Sequence, residues 1–166
     1  MKTNLALIGM PGSGKSTTGI ILAKILSYGF IDTDVLIQIN QQKSLQQIID
    51  ESGHLNLRRI EEEQITRINI NHHVIATGGS AVYSETAMTH LLNMSTVIFL
   101  KADYQVIKKR IHNFQTRGIA KAKHQSFREL YDERQILYHK YAELTVDCNS
   151  PAQEEIAAII ARKIRR

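Results

Sequence analysis

The nine residues "GMPGSGKST", 9–17, constrain this chain more than any other stretch. They fit the pattern G-x-x-x-x-G-K-[ST] at Gly9, Gly14, Lys15 and Ser16. In front of them "NLALIG" (4–9) reads as a strand, and behind them "KSTTGIILAKILS" (15–27) reads as a helix. A glycine-rich turn in that context lets backbone N–H groups face inward around phosphate oxygens. The N-terminus of the following helix adds a partial positive charge. The lysine of such a loop reaches the β- and γ-phosphates, and the hydroxyl after it ligates Mg²⁺. A chance glycine turn does not require strand, loop, Lys-Ser-Thr and helix in this order. The stretch predicts a nucleoside triphosphate site.

The rest of the chain alternates short apolar runs with helical periods. "FID" (30–32), "HVIAT" (73–77), "STVIFLKA" (95–102) and "LTVDC" (144–148) read as strands beside the first. Ser44 with Gln47 and Ser126 with Glu129 are capping-box pairs, opening helices near 45–51 and from 126 to about 142. A charged helix is expected over roughly 54–70, and Ser150-Pro151 with Gln153 opens a last one. Strands joined by helices mean a parallel sheet covered on both faces. The expected architecture is a three-layer α/β sandwich around a five-stranded parallel sheet, one domain over 1–166. Residues 113–125, "NFQTRGIAKAKHQ", have no clean period and carry three cations and one glycine, which suits a mobile lid over a site.

Composition removes several classes of function. No apolar run approaches the ~18 residues of a membrane span, and the short N-terminal run lacks the shape of a secretion signal. A single cysteine, Cys148, cannot form an internal disulfide, so a reducing cytoplasm is expected. The net charge is +5 and the pI about 9.4. That surplus suits either a nucleic acid or an anionic small substrate, with "ARKIRR" at the C-terminus adding to it. With no tryptophan and no basic tract interleaved with aromatics, the small anion is the better fit and no nucleic-acid or membrane partner is expected.

Two arginines stand out. Phe127, Leu130, Tyr131, Leu137, Tyr138 and Tyr141 mark the inward stripe of a helix, and Arg134, seven residues after Phe127, shares it. An arginine on an apolar face needs an anionic partner: a ligand, a salt bridge to Glu133 or Asp132, or a snorkelling route to water. Arg58 lies three and four residues before Glu61 and Glu62, where a helix-surface ion pair competes with a ligand role. The adjacent His72-His73 point apart and have no partners at metal-ligand spacing. Cys148 reads as a packing residue and the "EEE" run at 61–63 mostly as a solvated face.

The chain resembles the shikimate kinases, small-molecule kinases of the nucleoside-monophosphate kinase type. The resemblance runs from Met1 through the final helix. It rests on "GMPGSGKST", "DTD" at 32–34, "LRRIEEE" at 57–63, "ATGGSAV" at 76–82, a lid arginine at 117 and "ERQILY" at 133–138, in that order. It implies transfer of the ATP γ-phosphoryl group to the 3-hydroxyl of shikimate, giving shikimate 3-phosphate and ADP on the route to chorismate and the aromatic amino acids, by a cytoplasmic monomer. In residue terms it implies that Gly12, Ser13, Gly14, Lys15, Ser16 and Thr17 hold the ATP phosphates. Asp32 and Ser16 would hold the Mg²⁺ sphere, and Asp34 would accept substrate hydroxyls as base or orienter. Substrate-binding helices would span about 33–62. Arg58 and Arg134 match the clamp on the substrate carboxylate, with Gly78 and Gly79 donating a backbone N–H, and Glu61 positioning Arg58. Arg117 matches the lid arginine that stabilises transferred charge. Arg110 matches one that stacks on adenine, in a pocket completed around Pro151.

The chain departs from the family pattern at four places. Ser80 stands where a third glycine is usual, Leu57 where a phenylalanine is, Gly118 where a lid proline is, and Ile136 where the proline of a "PLY" motif is. The glycine at 118 implies a looser lid. Ser80 implies a narrower pocket or an added hydrogen bond. Together they leave room for a related kinase acting on another hydroxylated acid, such as gluconate. A non-catalytic nucleotide- or nucleic-acid-binding module is the remaining alternative, against which Lys15, Ser16, Asp32 and Asp34 all being present counts.

Overall fold

A computed structural model describes residues 2–165; Met1 and Arg166, the two ends of the expected domain, lie outside them. Five strands, β1 (Asn4–Ile8), β2 (Gly29–Asp32), β3 (His73–Ala76), β4 (Ser95–Lys101) and β5 (Leu144–Asp147), form one sheet in the order β2-β3-β1-β4-β5. Every pairing is parallel, with Leu5 opposite both Val74 and Thr96. Helices α1 (Lys15–Leu26), α2 (Thr33–Gln41), α3 (Leu45–Ser52), α4 (His54–Thr66), α5 (Glu85–Met94), α6 (Tyr104–Arg110), α7 (Phe127–Tyr141) and α8 (Gln153–Ile164) connect and cover it. Among the described residues no helix is long and apolar enough to cross a membrane.

β1 is the central strand, and all five of its residues are buried. That is why it reads as an unbroken apolar run: both faces of a covered parallel strand are core. Its one polar member, Asn4, is a buried clamp. Its side-chain amide donates to Ile70 O at 2.8 Å and Met94 O at 3.1 Å, and its Oδ1 accepts from His73 N–H at 2.9 Å. One side chain thus fixes the starts of β3 and β4 beside β1. On one side α1 packs against α8; on the other α4, α5 and α7 meet around a single 3₁₀ turn, Ala81–Tyr83. Gly19 lets α1 approach the sheet: a Cβ there would sit 2.6 Å from the Phe30 ring.

The structure departs from the sequence expectation at the ends of elements and in two short helices. α4 stops at Thr66 rather than 70, because Ile68 N–H folds back to Ile65 O and Asn4 takes the Ile70 carbonyl. α5 and α6 were not expected. α5 opens on Ser84, whose hydroxyl accepts from Ala87 N–H at 2.9 Å, and buries only Ala87, Met88 and Leu91. α6 buries only Ile107. The last helix opens at Gln153 with Ala152 as its cap, not at Ser150. Asn149 holds the preceding chain out of the helix: its N–H reaches Asp147 Oδ1 at 2.9 Å while its Oδ1 accepts from Asp103 N–H at 2.7 Å.

The Asn4 clamp is testable. Asn4→Ala strands two partly buried carbonyls and an amide and should lower the unfolding free energy by about 1–2 kcal/mol, read from urea denaturation at constant m-value.

Candidate active site

The strands' C-terminal ends set the site. Beyond β1 the chain turns through the phosphate loop, closed by Ser13 N–H to Met10 O at 3.1 Å. Gly14 caps α1 in the left-handed region (φ 94°), and a Cβ there would be 2.6 Å from the Gln153 amide. Glycine is needed on both counts. The Lys15 ammonium is buried and donates to Gly9 O at 2.8 Å and Met10 O at 2.9 Å. Burial pulls its pKa down to about 8, the Asp34 charge resisting and Arg117 and Arg134 adding to the fall.

β2 delivers the two aspartates. Asp32 is the N-cap of α2: its Oδ1 accepts from Asp34 N–H at 3.0 Å and Val35 N–H at 3.4 Å. Its other oxygen accepts the Ser16 hydroxyl. Capping explains why the pair is not simply repulsive, since the helix end favours negative charge there. Thr33 between them is fully buried, and its hydroxyl oxygen accepts Gly78 N–H at 3.1 Å. Thr77 donates its hydroxyl to Leu7 O at 3.0 Å. The glycine turn after β3 is therefore fixed to β1 and to the start of α2.

That turn carries a pair of carboxylates. A Cβ on Gly78 would lie 2.7 Å from Asp34 Oδ1 and closer still to Glu61 Oε1. Glu61 is 2 % exposed; its Oε2 accepts the Ser80 hydroxyl and its Oε1 has no hydrogen-bond partner. Burial first, and then the Asp32 charge, push Asp34 up to about 6, while burial and then the Asp34 charge push Glu61 up to about 7.

The arginines face these carboxylates. Arg134 is 1 % exposed, on the buried stripe of α7. It donates from Nη2 to Ala120 O at 2.8 Å, and its Nε has no partner. The salt-bridge alternatives are excluded by geometry: Asp132 pairs with Arg128, and Glu133 accepts the Tyr83 hydroxyl. Arg58 pairs with neither Glu61 nor Glu62. Its guanidinium carbon stands 3.6 Å over the Tyr83 ring, and its Nη2 reaches the same Ala120 carbonyl at 3.4 Å. Arg117 is exposed on the lid and faces the cavity, and Arg110, at the end of α6, donates to Cys148 O at 2.9 Å beside Gly12.

One cavity of about 250 Å³ joins the phosphate loop (Gly12, Gly14, Lys15, Ser16, Thr17) to Asp34, Glu61, Gly78 and Gly79, with Arg110, Arg117 and Arg134 at its walls. Four residues expected here do not line it. Ser13 is buried under the loop, Asp32 reaches the site through Ser16, and Arg58 stands behind Ala120. Pro151 lies off the cavity, because α8 starts later, and Gln153 packs on Gly14 in its place. Glu61 was expected to position Arg58; here its partner is Ser80. The lid is also not slack at Gly118. That residue has φ 70°, a value closed to proline. Its Cα is packed against Leu45, and its N–H points to Gln46 Oε1 at 3.3 Å. Sequence reasoning missed the tie from Thr33 and the platform of Tyr83; the threonine between two aspartates was the only trace of the former.

The loop, the aspartates and the buried Arg134 define a class: an ATP-dependent small-molecule kinase of the P-loop type, acting on an acid. Comparison with known proteins narrows it. Residues 11–165 match the shikimate kinase family. A shikimate kinase of Caldanaerobacter subterraneus subsp. tengcongensis is 32% identical over 162 residues, 96% of this chain and 94% of the relative. One from Clostridium botulinum is 35% identical over 95% of this chain and 94% of its own. The solved shikimate kinase of Acinetobacter baumannii in complex with shikimate superposes with a TM-score of 0.90 at 26% identity, covering 99% of this chain and 94% of that one. The chain belongs to the shikimate kinase family.

Two outcomes follow from this geometry. Gly78→Ala would drive Asp34 and Glu61 apart by about an ångström and should lower kcat/KM roughly 100-fold, measured with ADP formation coupled to NADH oxidation. Between about pH 4 and 7 the folded protein holds protons that the unfolded chain has released, so its stability falls as pH rises. Glu61→Gln should therefore melt higher than wild type at about pH 8, the gap narrowing towards about pH 4.

Proposed function

We propose that the chain transfers the γ-phosphoryl group of ATP to the 3-hydroxyl of shikimate. The single observation that carries this is Arg134: a buried guanidinium with no carboxylate within 4.0 Å among the described residues, opening on the cavity that holds Lys15 and Asp34. An unpaired buried cation is costly and calls for an anion. The clamp's second arm is Arg58. A substrate carboxylate would take over the donors that Arg58 and Arg134 now direct at Ala120 O, with the Gly79 backbone beside it. Two guanidiniums suit a planar carboxylate in fork geometry.

The acid then lies with a ring hydroxyl towards Asp34. Asp34 in its ionised form accepts that hydroxyl's hydrogen bond and takes its proton as the oxygen attacks phosphorus. Lys15 and Arg117 donate to the phosphoryl oxygens where charge develops. Lys15 must leave the Gly9 and Met10 carbonyls to do so, and its lowered pKa still leaves it charged at neutral pH. Ser16 and Asp32 are hard oxygen donors already joined by a hydrogen bond, and they fit Mg²⁺ beside the phosphate loop. Bound there, the ion would neutralise β- and γ-phosphate charge. The reading is completed by a monomeric enzyme of one domain, and the single buried thiol suits a reducing cytoplasm.

The test is ATP turnover with and without shikimate; turnover on gluconate but not shikimate would reject the assignment. Asp34→Asn should lower kcat by about 10²–10⁴. In wild type, kcat/KM should fall below about pH 6, because the base is lost on protonation. Arg134→Ala should raise the shikimate KM by about 100-fold and leave the ATP KM within about twofold.

A further inference from the structure

Arg58 and Arg134 present a physical problem that neither solves alone. Both guanidiniums point at one carbonyl, Ala120 O, and neither has a carboxylate within 4.0 Å among the described residues. Two cations held this close repel each other. What stands beside both is Tyr83. Its ring centre is 3.6 Å from the Arg58 guanidinium carbon and 5.5 Å from that of Arg134. The ring is held at two ends. Its backbone N–H closes the 3₁₀ turn on Ser80 O at 3.1 Å, and its hydroxyl donates to Glu133 on α7, next in sequence to Arg134.

Resting on the activity proposed above, we infer that Tyr83 is a positioning residue for the carboxylate clamp, an aromatic platform that holds both arginines. Ser80 creates the need for it by drawing Glu61 away from Arg58. Glu61 is the carboxylate on α4 one turn from Arg58, yet it accepts the Ser80 hydroxyl instead. A carboxylate partner would neutralise Arg58 and occupy its N–H edge. An aromatic face does neither: it attracts the cation through the ring quadrupole and leaves the in-plane N–H fork free for an incoming acid. Tyr83 and Ser80 thus form one device, in which the serine removes the ionic partner and the tyrosine replaces it with a face.

The experiment compares wild type, Tyr83→Leu, Tyr83→Phe, Ser80→Gly and Tyr83→Leu/Ser80→Gly in steady-state kinetics, with thermal midpoints recorded for each. Tyr83→Leu should raise the shikimate KM about tenfold, in line with a partly desolvated cation–π contact. The ATP KM and kcat should stay within about twofold. Tyr83→Phe, which keeps the ring, should recover most of that loss. The double variant should recover at least about threefold relative to Tyr83→Leu, because Glu61 is freed to pair with Arg58. An unchanged shikimate KM in Tyr83→Leu, an equal rise in both KM values, or strict additivity of Ser80→Gly would each overturn the platform and leave the proposed activity standing. Wild type without shikimate-dependent turnover would reject both.

Discussion

One hydrogen bond, from Gly78 N–H to the Thr33 hydroxyl, organises the site. It joins the end of β3 to the start of α2, with neither partner exposed to water. Together with the Thr77 hydroxyl on Leu7 O, it sets the height of the glycine turn above the sheet. With it, Asp34 comes from one side and Glu61 from another, and both meet over a residue that has no side chain to keep them apart. Asp32, one residue before the threonine, is set by the same constraint and caps α2 while holding Ser16. The groups proposed for the metal and for the acceptor are thus placed by a single backbone junction.

The charges around this junction explain one another. Lys15, Arg117 and Arg134 lie near Asp34 and Glu61, yet none forms a direct ion pair with them. Burial raises the carboxylates and lowers the lysine, so each group sits closer to neutrality than in water. Such a site is costly to fold and well suited to chemistry in which charge moves, because phosphates and a carboxylate supply what is missing.

Much of this was legible in the sequence because it is local. The phosphate loop needs only its own glycines, Lys15 and the helix behind it. Arg134 announced itself by standing on an apolar stripe. Its freedom from ion pairs did not, since that depends on Asp132 choosing Arg128 and on Glu133 choosing Tyr83, fifty residues away in sequence. Glu61 choosing Ser80 over Arg58 has the same character. α5 and α6 were invisible because each buries so few residues that no period stands out. The misplaced start of α8 came from Ser150-Pro151, a sound helix-opening signal overruled by the Asn149 side chain.

Ala120 lies in the 113–125 segment expected to act as a lid, and its carbonyl is what Arg58 and Arg134, the proposed clamp, both hold. The donors that fasten the lid are therefore the ones an acid would claim. On the proposed binding mode, lid contact and acid affinity would draw on the same guanidiniums, so their coupling would be reciprocal: whatever strengthens the carbonyl's grip would weaken the acid's. In that mode this segment would compete with the acid from within the chain, and the affinity for any acid would include the work of displacing it.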